Sequence, residues 1–450
     1  MTADLSARIS DLLPGVVEDL TALVAIPSVS SLPDRHADVD ATVDAVSALL
    51  TDLGCDDLEV VREGGQPAII ARFPAPEGQP TVCLYAHLDV QPTGDLALWT
   101  TEPFVATRRG DRLYGRGVVD DKAGIAVHLA ALRAFDGKPP VGVTLFIEGE
   151  EEIGSPTLAT ILERHSDKLA SDVFVICDSG NWQVGTPAFT TALRGLVDLV
   201  VRVDTLDHAL HSGQFGGVVP DALTTLVRLL ATLHDENGDV AVAGLAVAEP
   251  FDLDYPEDRM RAEAGLLDGV ELVGTGPLAD RVWSRPSLTV LAIDATPVAD
   301  ASNTLAPNAR AKVSMRIAPN QDPAAAMAAL SRHLTEHAPF GAKVTISEGS
   351  AGSGTVVEMA GPVADLARAV YSDAFRNPAV DMGQGGSIPM VADFQRAYPD
   401  AQILVTGVAD PDSRMHGIDE SLDLIDLEAA ALAEASLLQG LADQTSGRSA

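Results

Sequence analysis

The chain has 450 residues, 46% of them hydrophobic and 4% aromatic, and a formal net charge of −35. Such a length exceeds one core and implies two domains, while the acidic excess excludes nucleic acid and anionic membrane surfaces as partners, since phosphate contact needs basic surface. No apolar run approaches the ~20 residues that span a bilayer.

The first twenty residues carry Asp4, Asp11, Glu18 and Asp19 and lack the basic and apolar regions of a secretory signal, so a cytoplasmic chain is expected. Cys55, Cys83 and Cys177 are widely spaced, and two lie in apolar strand patterns, which predicts packing residues rather than disulfides.

Along the chain, residues 4–24 and 40–53 read as helices and 58–63, 67–73 and 80–86 as strands. Strands at 141–147 and 172–177 then alternate with helices at 121–135 and 156–164, a β/α alternation that predicts a mainly parallel sheet covered on both faces. After Gly185-Thr186-Pro187 the character changes. Strands at 196–203, 287–293, 309–317 and 343–347 and helices at 220–234 and 322–337 make a second, α+β unit, with an irregular stretch at 235–285 that carries Pro250, Pro256 and Pro277. The Gly/Ser-rich run 349–354 returns the chain to helices at 362–375, 388–397 and 423–440 around a strand at 402–406. The expected fold is therefore α/β: a discontinuous domain of residues 1–189 and 350–450 built on the parallel sheet, interrupted by an inserted α+β domain of residues 190–349.

Three of the apolar runs end in ligand-type side chains. The run 81–85 leads to His87 and Asp89, the run 141–147 to Glu150, Glu151 and Glu152, and the run 172–177 to Asp178, at the edge where open α/β sheets place their chemistry. Between the first two, Gly115-Arg116-Gly117-Val118-Val119-Asp120-Asp121-Lys122 sets two aspartates at a helix N-terminus, and His416 follows late in the chain. A single strand-end carboxylate reads as a cap or turn residue, but so many converging on one rim would repel one another, and desolvating them would be costly without a compensating cation. Two imidazoles with three or four carboxylates suit zinc, manganese or cobalt better than calcium or magnesium. Two histidines and three carboxylates satisfy two cations when one carboxylate bridges. Within Glu150-Glu151-Glu152 an extended chain would put Glu150 and Glu152 on one face and Glu151 on the other, which leaves their roles open; Glu150 is expected to be a solvated charge.

His87-Leu88-Asp89, Tyr114-Gly115-Arg116-Gly117 with Asp120-Asp121-Lys122, the Glu148–Ser155 segment, Asp178 and His416 resemble the M20 metallopeptidase family in order and spacing. That family includes dinuclear dipeptidases of the carnosinase type, aminoacylases, acetylornithine deacetylases and succinyl-diaminopimelate desuccinylases. The resemblance covers nearly the whole chain. It implies two divalent cations per subunit, zinc with manganese or cobalt as alternatives, bridged by Asp120, with His87 and Asp178 completing one site and Glu152 and His416 the other. It also implies that Asp89 orients His87, that Glu151 is the general acid/base toward a metal-bound water, and that the inserted domain serves as a lid and in dimerisation. His211, in His211-Ser212-Gly213, looks like the family histidine that polarises the substrate carbonyl across a homodimer interface; His208 lacks the motif and reads as a surface residue.

Asn303, Arg316, Gly386 and Ser387 resemble substrate-binding elements of the dipeptidases, with Arg316 matched to a free carboxylate. Gly386-Ser387-Ile388-Pro389 together with Arg316 favours dipeptides as substrates over N-acyl amino acids. A non-catalytic metal-binding member would have no need of Asp89, Glu151 and His211. Two departures, Asp419 where Asn is common and Gln384 where a charged residue is common, bear on selectivity rather than on the cation ligands.

Overall fold

The computed structural model describes residues 2–386 and 389–448. The chain forms two compact units, the first from Met1–Thr191, Val357–Met382 and Asp393–Ala450, the second from Ala192–Val356 and Gly383–Ala392.

The first unit is built on a six-stranded sheet in the order Asp57–Val61, Ala68–Phe73, Gly142–Glu148, Thr81–His87, Val173–Gly180, Gln402–Ala409. The last four strands run parallel, while the first two form an antiparallel edge. Strand Thr81–His87 shows how the sequence sets this arrangement. Its alternate residues Val82, Leu84 and Ala86 enter the main apolar core, beneath helices Thr2–Val24, Lys122–Arg133 and Leu424–Arg448. Tyr85 points the other way, against Phe146 and Phe394. Both faces being covered, the strand reads as an apolar run instead of an alternation. Helix Lys122–Arg133 is buried from Lys122 to Leu132, which explains the run of small and aliphatic residues after Asp121.

The second unit holds a four-stranded antiparallel sheet in the order Ser287–Asp294, Asn308–Ile317, Gly195–Asp204, Lys343–Gly352. Helices Ala222–Leu230 and Pro323–Glu336 pack on it over a separate core that includes Val197, Leu199, Val201, Val313 and Met315. Asp221 and Asp322 cap these helices with their carboxylates, each accepting two backbone N–H groups. The stretch 235–285 is irregular apart from short helices at Glu257–Glu263 and Leu278–Trp283.

Two local differences from expectation have physical causes. The last strand of the second unit continues past 347 because Gly349 and Ser350 sit at a register shift and do not end it. Residues 383–392, expected in the first domain, belong to the second unit: a Cβ on Gly383 would lie 2.5 Å from Trp283 Cβ, so only glycine permits that approach. The three cysteines are buried and free. Among the described residues no helix is long and apolar enough to cross a membrane.

Candidate active site

The first unit gathers the acidic and histidine residues at the carboxyl ends of its parallel strands. His87 closes strand Thr81–His87, Asp178 lies in Val173–Gly180, and Glu151 and Glu152 open a single 3-10 turn just after Gly142–Glu148. Asp120 precedes helix Lys122–Arg133, joined to Asp121 by a cis peptide bond. Gly117, at φ +78°, makes the turn that leads there; a Cβ on it would lie 2.4 Å from Val90 Cγ1. His416 arrives on the loop after Gln402–Ala409, with its side chain 57% exposed.

Two groups of three offer ligand atoms within 4.8 Å of one another: His87, Glu151 and Asp178, and Asp120, Glu152 and His416. They meet at Asp120. Its Oδ1 lies 3.1 Å from His87 Nε2 and its Oδ2 3.0 Å from His416 Nε2, while Asp178 Oδ1 is 3.6 Å from His87 Nε2 and Glu152 Oε2 is 3.2 Å from His416 Nε2. All five residues expected to hold cations therefore lie together, and so does Glu151.

Asp89 does more than was expected of it. His87 Nδ1 stands 3.0 Å from the Asp89 carbonyl oxygen and 3.4 Å from its Oδ1, and the Asp89 carboxylate also accepts the backbone N–H groups of Glu151 and Glu152 at 3.2 and 3.1 Å. Those two bonds help turn the chain at Glu151, so the strand-like alternation considered for Glu150 to Glu152 does not occur. Glu150 is not a solvated charge. It is buried and accepts the N–H groups of Gln66 and Thr157 and the Thr157 hydroxyl, anchoring the turn from below. Asp121, which stands at the helix N-terminus as expected, makes no side-chain cap bond and accepts the His87 N–H at 3.1 Å.

Sequence reading missed the buried pair Arg116 and Glu420, whose guanidinium and carboxylate meet at 2.5 Å. Glu420 also accepts N–H groups from Gly117, Val119 and Asp120. An arginine between two glycines in an otherwise apolar loop was the available signal, since a buried guanidinium needs an acid. Asp419 accepts the N–H and hydroxyl of Thr100 and adopts φ +56°, a conformation that Asp and Asn both tolerate, which accounts for its standing in a position common to Asn.

In the second unit, the short strands Leu210–His211 and Thr304–Leu305 pair, and the Asn303 carbonyl accepts the Ser212 N–H, so His211 and Asn303 are close in the fold. His211 is exposed, and its Nδ1 accepts the Gly213 N–H at 3.1 Å, leaving Nε2 as the outward nitrogen. Arg316 lies opposite Ser287 in the sheet. Ser287 Oγ is 3.1 Å from the guanidinium of Arg194, a second arginine that the sequence reading did not single out, only 8% exposed and without a carboxylate partner among the described residues. Burial, with the nearby Arg316 charge, lowers the Arg194 pKa to about 10. Gly386 is exposed, next to Gly385, whose carbonyl accepts from Arg194. Ser387 lies outside the described residues.

The electrostatics are those of a crowded, buried acidic cluster. Burial, then the Asp178 carboxylate, pushes Glu151 up to about 9, and burial pushes Asp178 up to about 6. The Asp120 and Glu152 carboxylates beside it raise His416 to about 10. Burial raises Asp120 as well, but His416 and His87 outweigh it and hold that carboxyl below its usual range. Among the described residues, Oε1 of Glu152 is buried with no hydrogen-bond partner, and Oδ2 of Asp120 makes no hydrogen bond despite its nearness to His416. Buried carboxylate oxygens are normally satisfied, so these two, in a nitrogen and oxygen donor set, fit divalent cations of the zinc, manganese or cobalt kind.

Known proteins carry the same plan. The model of peptidase family M20/M25/M40 matches residues 83–440. A cysteinylglycine-S-conjugate dipeptidase of Corynebacterium striatum is 35% identical over 431 residues, covering 94% of both chains. A Beta-Ala-His dipeptidase of Rattus norvegicus is 30% identical over 347 residues, 72% of this chain and 67% of that one. Human carnosine dipeptidase 1 shares the fold, with a TM-score of 0.79 over 98% of this chain and 99% of that one at 24% identity. With a family match across most of its length, the chain belongs to peptidase family M20/M25/M40.

Proposed function

We propose that this protein is a dinuclear metal-dependent dipeptidase in which His87 and Asp178 would hold one cation, Glu152 and His416 the other, and Asp120 would serve both. The observation that carries this reading is the division of the Asp120 carboxylate between the imidazoles of His87 and His416. The donor set suits zinc, with manganese or cobalt as alternatives. Bound there, such cations supply Lewis acidity toward the amide carbonyl and bring the pKa of a coordinated water toward neutrality.

The chain's own residues do the rest. Glu151, ionised once positive charge offsets the burial that raises it, takes a proton from the attacking water and returns it to the departing amine nitrogen. Asp89 fixes the imidazole of His87 and the turn that presents Glu151. His211, with Nε2 outward, donates to the developing oxyanion, and in our reading it does so across a homodimer interface. Arg316 receives the free carboxylate of the substrate through its planar fork, aided by Asn303, Gly386 and Ser387. We place the protein in the cytoplasm, in keeping with its free cysteines.

Dipeptides are favoured over N-acyl amino acids because the relatives above are dipeptidases over most of this chain's length. A panel of dipeptides set against acetyl- and succinyl-amino acids, with added zinc or manganese, tests the reading. Turnover of dipeptides is expected, and turnover restricted to acylated substrates overturns it.

A further inference from the structure

The two cation groups differ in how their members are held. His87 and Asp178 belong to neighbouring strands of the sheet, and their side chains are almost fully buried. His416 stands on a loop with its side chain more than half exposed, and Arg414, His416 and Asp419 all adopt positive φ. The far end of that loop is held by the pairing of Ser421–Asp423 with Arg112–Tyr114 and by the bonds of Thr100 to Asp419. Its position relative to Asp120 depends on what ties the loop down.

Beside Asp120 the loop is tied by the pair Arg116 and Glu420. Glu420, four residues after His416, places one oxygen on Arg116 Nη1 and the Gly117 N–H and the other on the N–H groups of Val119 and Asp120 itself. Arg116 reaches back with Nη2 to the carbonyl of Gly417, the residue after His416, at 3.0 Å, and to that of Pro92 at 3.3 Å. Its guanidinium lies over the Trp99 ring, 5.5 Å from the centroid. Each loop thus grips the backbone of the other beside the residue that faces the cation, and a second tie, Gly115 N–H to the Glu420 carbonyl, fixes their register.

We propose that Arg116 and Glu420 are positioning residues that set the spacing of His416 from Asp120 and so decide whether the Asp120, Glu152 and His416 group holds its cation. This rests on the dinuclear reading above. Neither residue touches substrate or cation. Their effect falls chiefly on the His416 side, because His87 and Asp178 are held by the sheet and Asp120 keeps its place ahead of helix Lys122–Arg133 whether or not the latch is made.

The test is calorimetric titration of chelator-stripped, full-length protein with Mn2+, with the electron paramagnetic resonance spectrum recorded at saturation. Wild type should take two cations per chain and give the spectrum of an interacting pair. In Glu420→Gln the first cation should bind as in wild type and the second about 10- to 100-fold more weakly, the usual cost of losing a group that orients a ligand, leaving an isolated-ion spectrum. Combining Arg116→Met with Glu420→Met separates positioning from stability, since replacing a buried ion pair by apolar side chains can restore stability. Because the N–H groups of Gly117, Val119 and Asp120 lose Glu420, that double variant should regain only part of the melting temperature lost in Glu420→Met alone, while its second cation stays weak. Recovery of both cations along with stability, or parallel weakening of the two, overturns the proposal. Arg116→Lys, which keeps the charge and loses the fork, should weaken the second cation alone, and if it is the only variant that folds, unchanged binding in it overturns the proposal equally. A wild type taking fewer than two cations instead sinks the dinuclear reading and this inference with it.

Discussion

Oδ1 of Asp89 accepts the backbone N–H of Glu151 at 3.2 Å and stands 3.4 Å from Nδ1 of His87. One buried carboxylate thus aligns both an imidazole facing the cations and the proposed proton carrier. In Asp89→Asn one oxygen becomes an N–H2 that cannot accept from Glu151 or Glu152, so a buried donor loses its partner, at about 1–3 kcal/mol. The expected result is a lower melting temperature with kcat reduced about 10- to 100-fold. Steady-state kinetics and thermal melts check both, and wild-type kcat in a destabilised variant would remove the aligning role.

Cation binding should release protons. Without cations, His416 at about 10 and Glu151 at about 9 are protonated at pH 7.5. Burial works to lower His87, but Asp178, Asp120 and Asp89 outweigh it and hold it well above its usual value. The imidazoles must shed their protons to hold cations, and positive charge beside Glu151 favours its ionised form, so affinity rises with pH through this range. Titration calorimetry in buffers of different ionisation enthalpy should show more than one proton released per chain, and an enthalpy independent of buffer would contradict it.

The proposed strand-end ligands were legible because each follows an apolar run buried on both faces, and periodicity alone places His87 and Asp178 at one edge. Glu150 was misread because its partners, the N–H groups of Gln66 and Thr157, belong to loops that no local pattern reveals. Arg116 and Glu420 are 304 positions apart, and their pairing exists only once two loops meet. The turn at Glu151–Ile153 depended in the same way on a carboxylate from another strand end.

Arg316 and Arg194 lack carboxylate partners among the described residues, which suits capture of a free carboxylate. Amidating the C-terminus of a good dipeptide substrate should lower kcat/KM about 10- to 100-fold, the worth of a charge-assisted hydrogen bond of about 1.5–3 kcal/mol. Arg316→Gln should abolish the distinction between free and amidated substrates. A variant that still prefers the free carboxylate would move that role to another residue.

Beneath the site, His128 Nδ1 meets the buried Glu434 carboxylate at 2.9 Å while Nε2 faces the Tyr85 carbonyl. Burial lowers the His128 pKa, but Glu434 outweighs it and the net shift is upward. The folded state therefore holds the proton more tightly than the unfolded chain. The stabilisation from this pair is full below about pH 6.5 and is lost as pH rises through the folded value. Glu434→Gln should cost about 3–5 kcal/mol at pH 6 and a smaller amount at higher pH, measured by denaturant melts of chelator-treated protein. A cost that grows with pH would reverse the assignment.

The central claim is that Glu151 moves protons beside cations that other residues hold. Cation content and turnover of Glu151→Ala, measured on the same preparation, test it most directly. The account predicts two cations per chain with dipeptide turnover reduced by about 10²- to 10⁴-fold or more. Retained turnover at full cation content would contradict it.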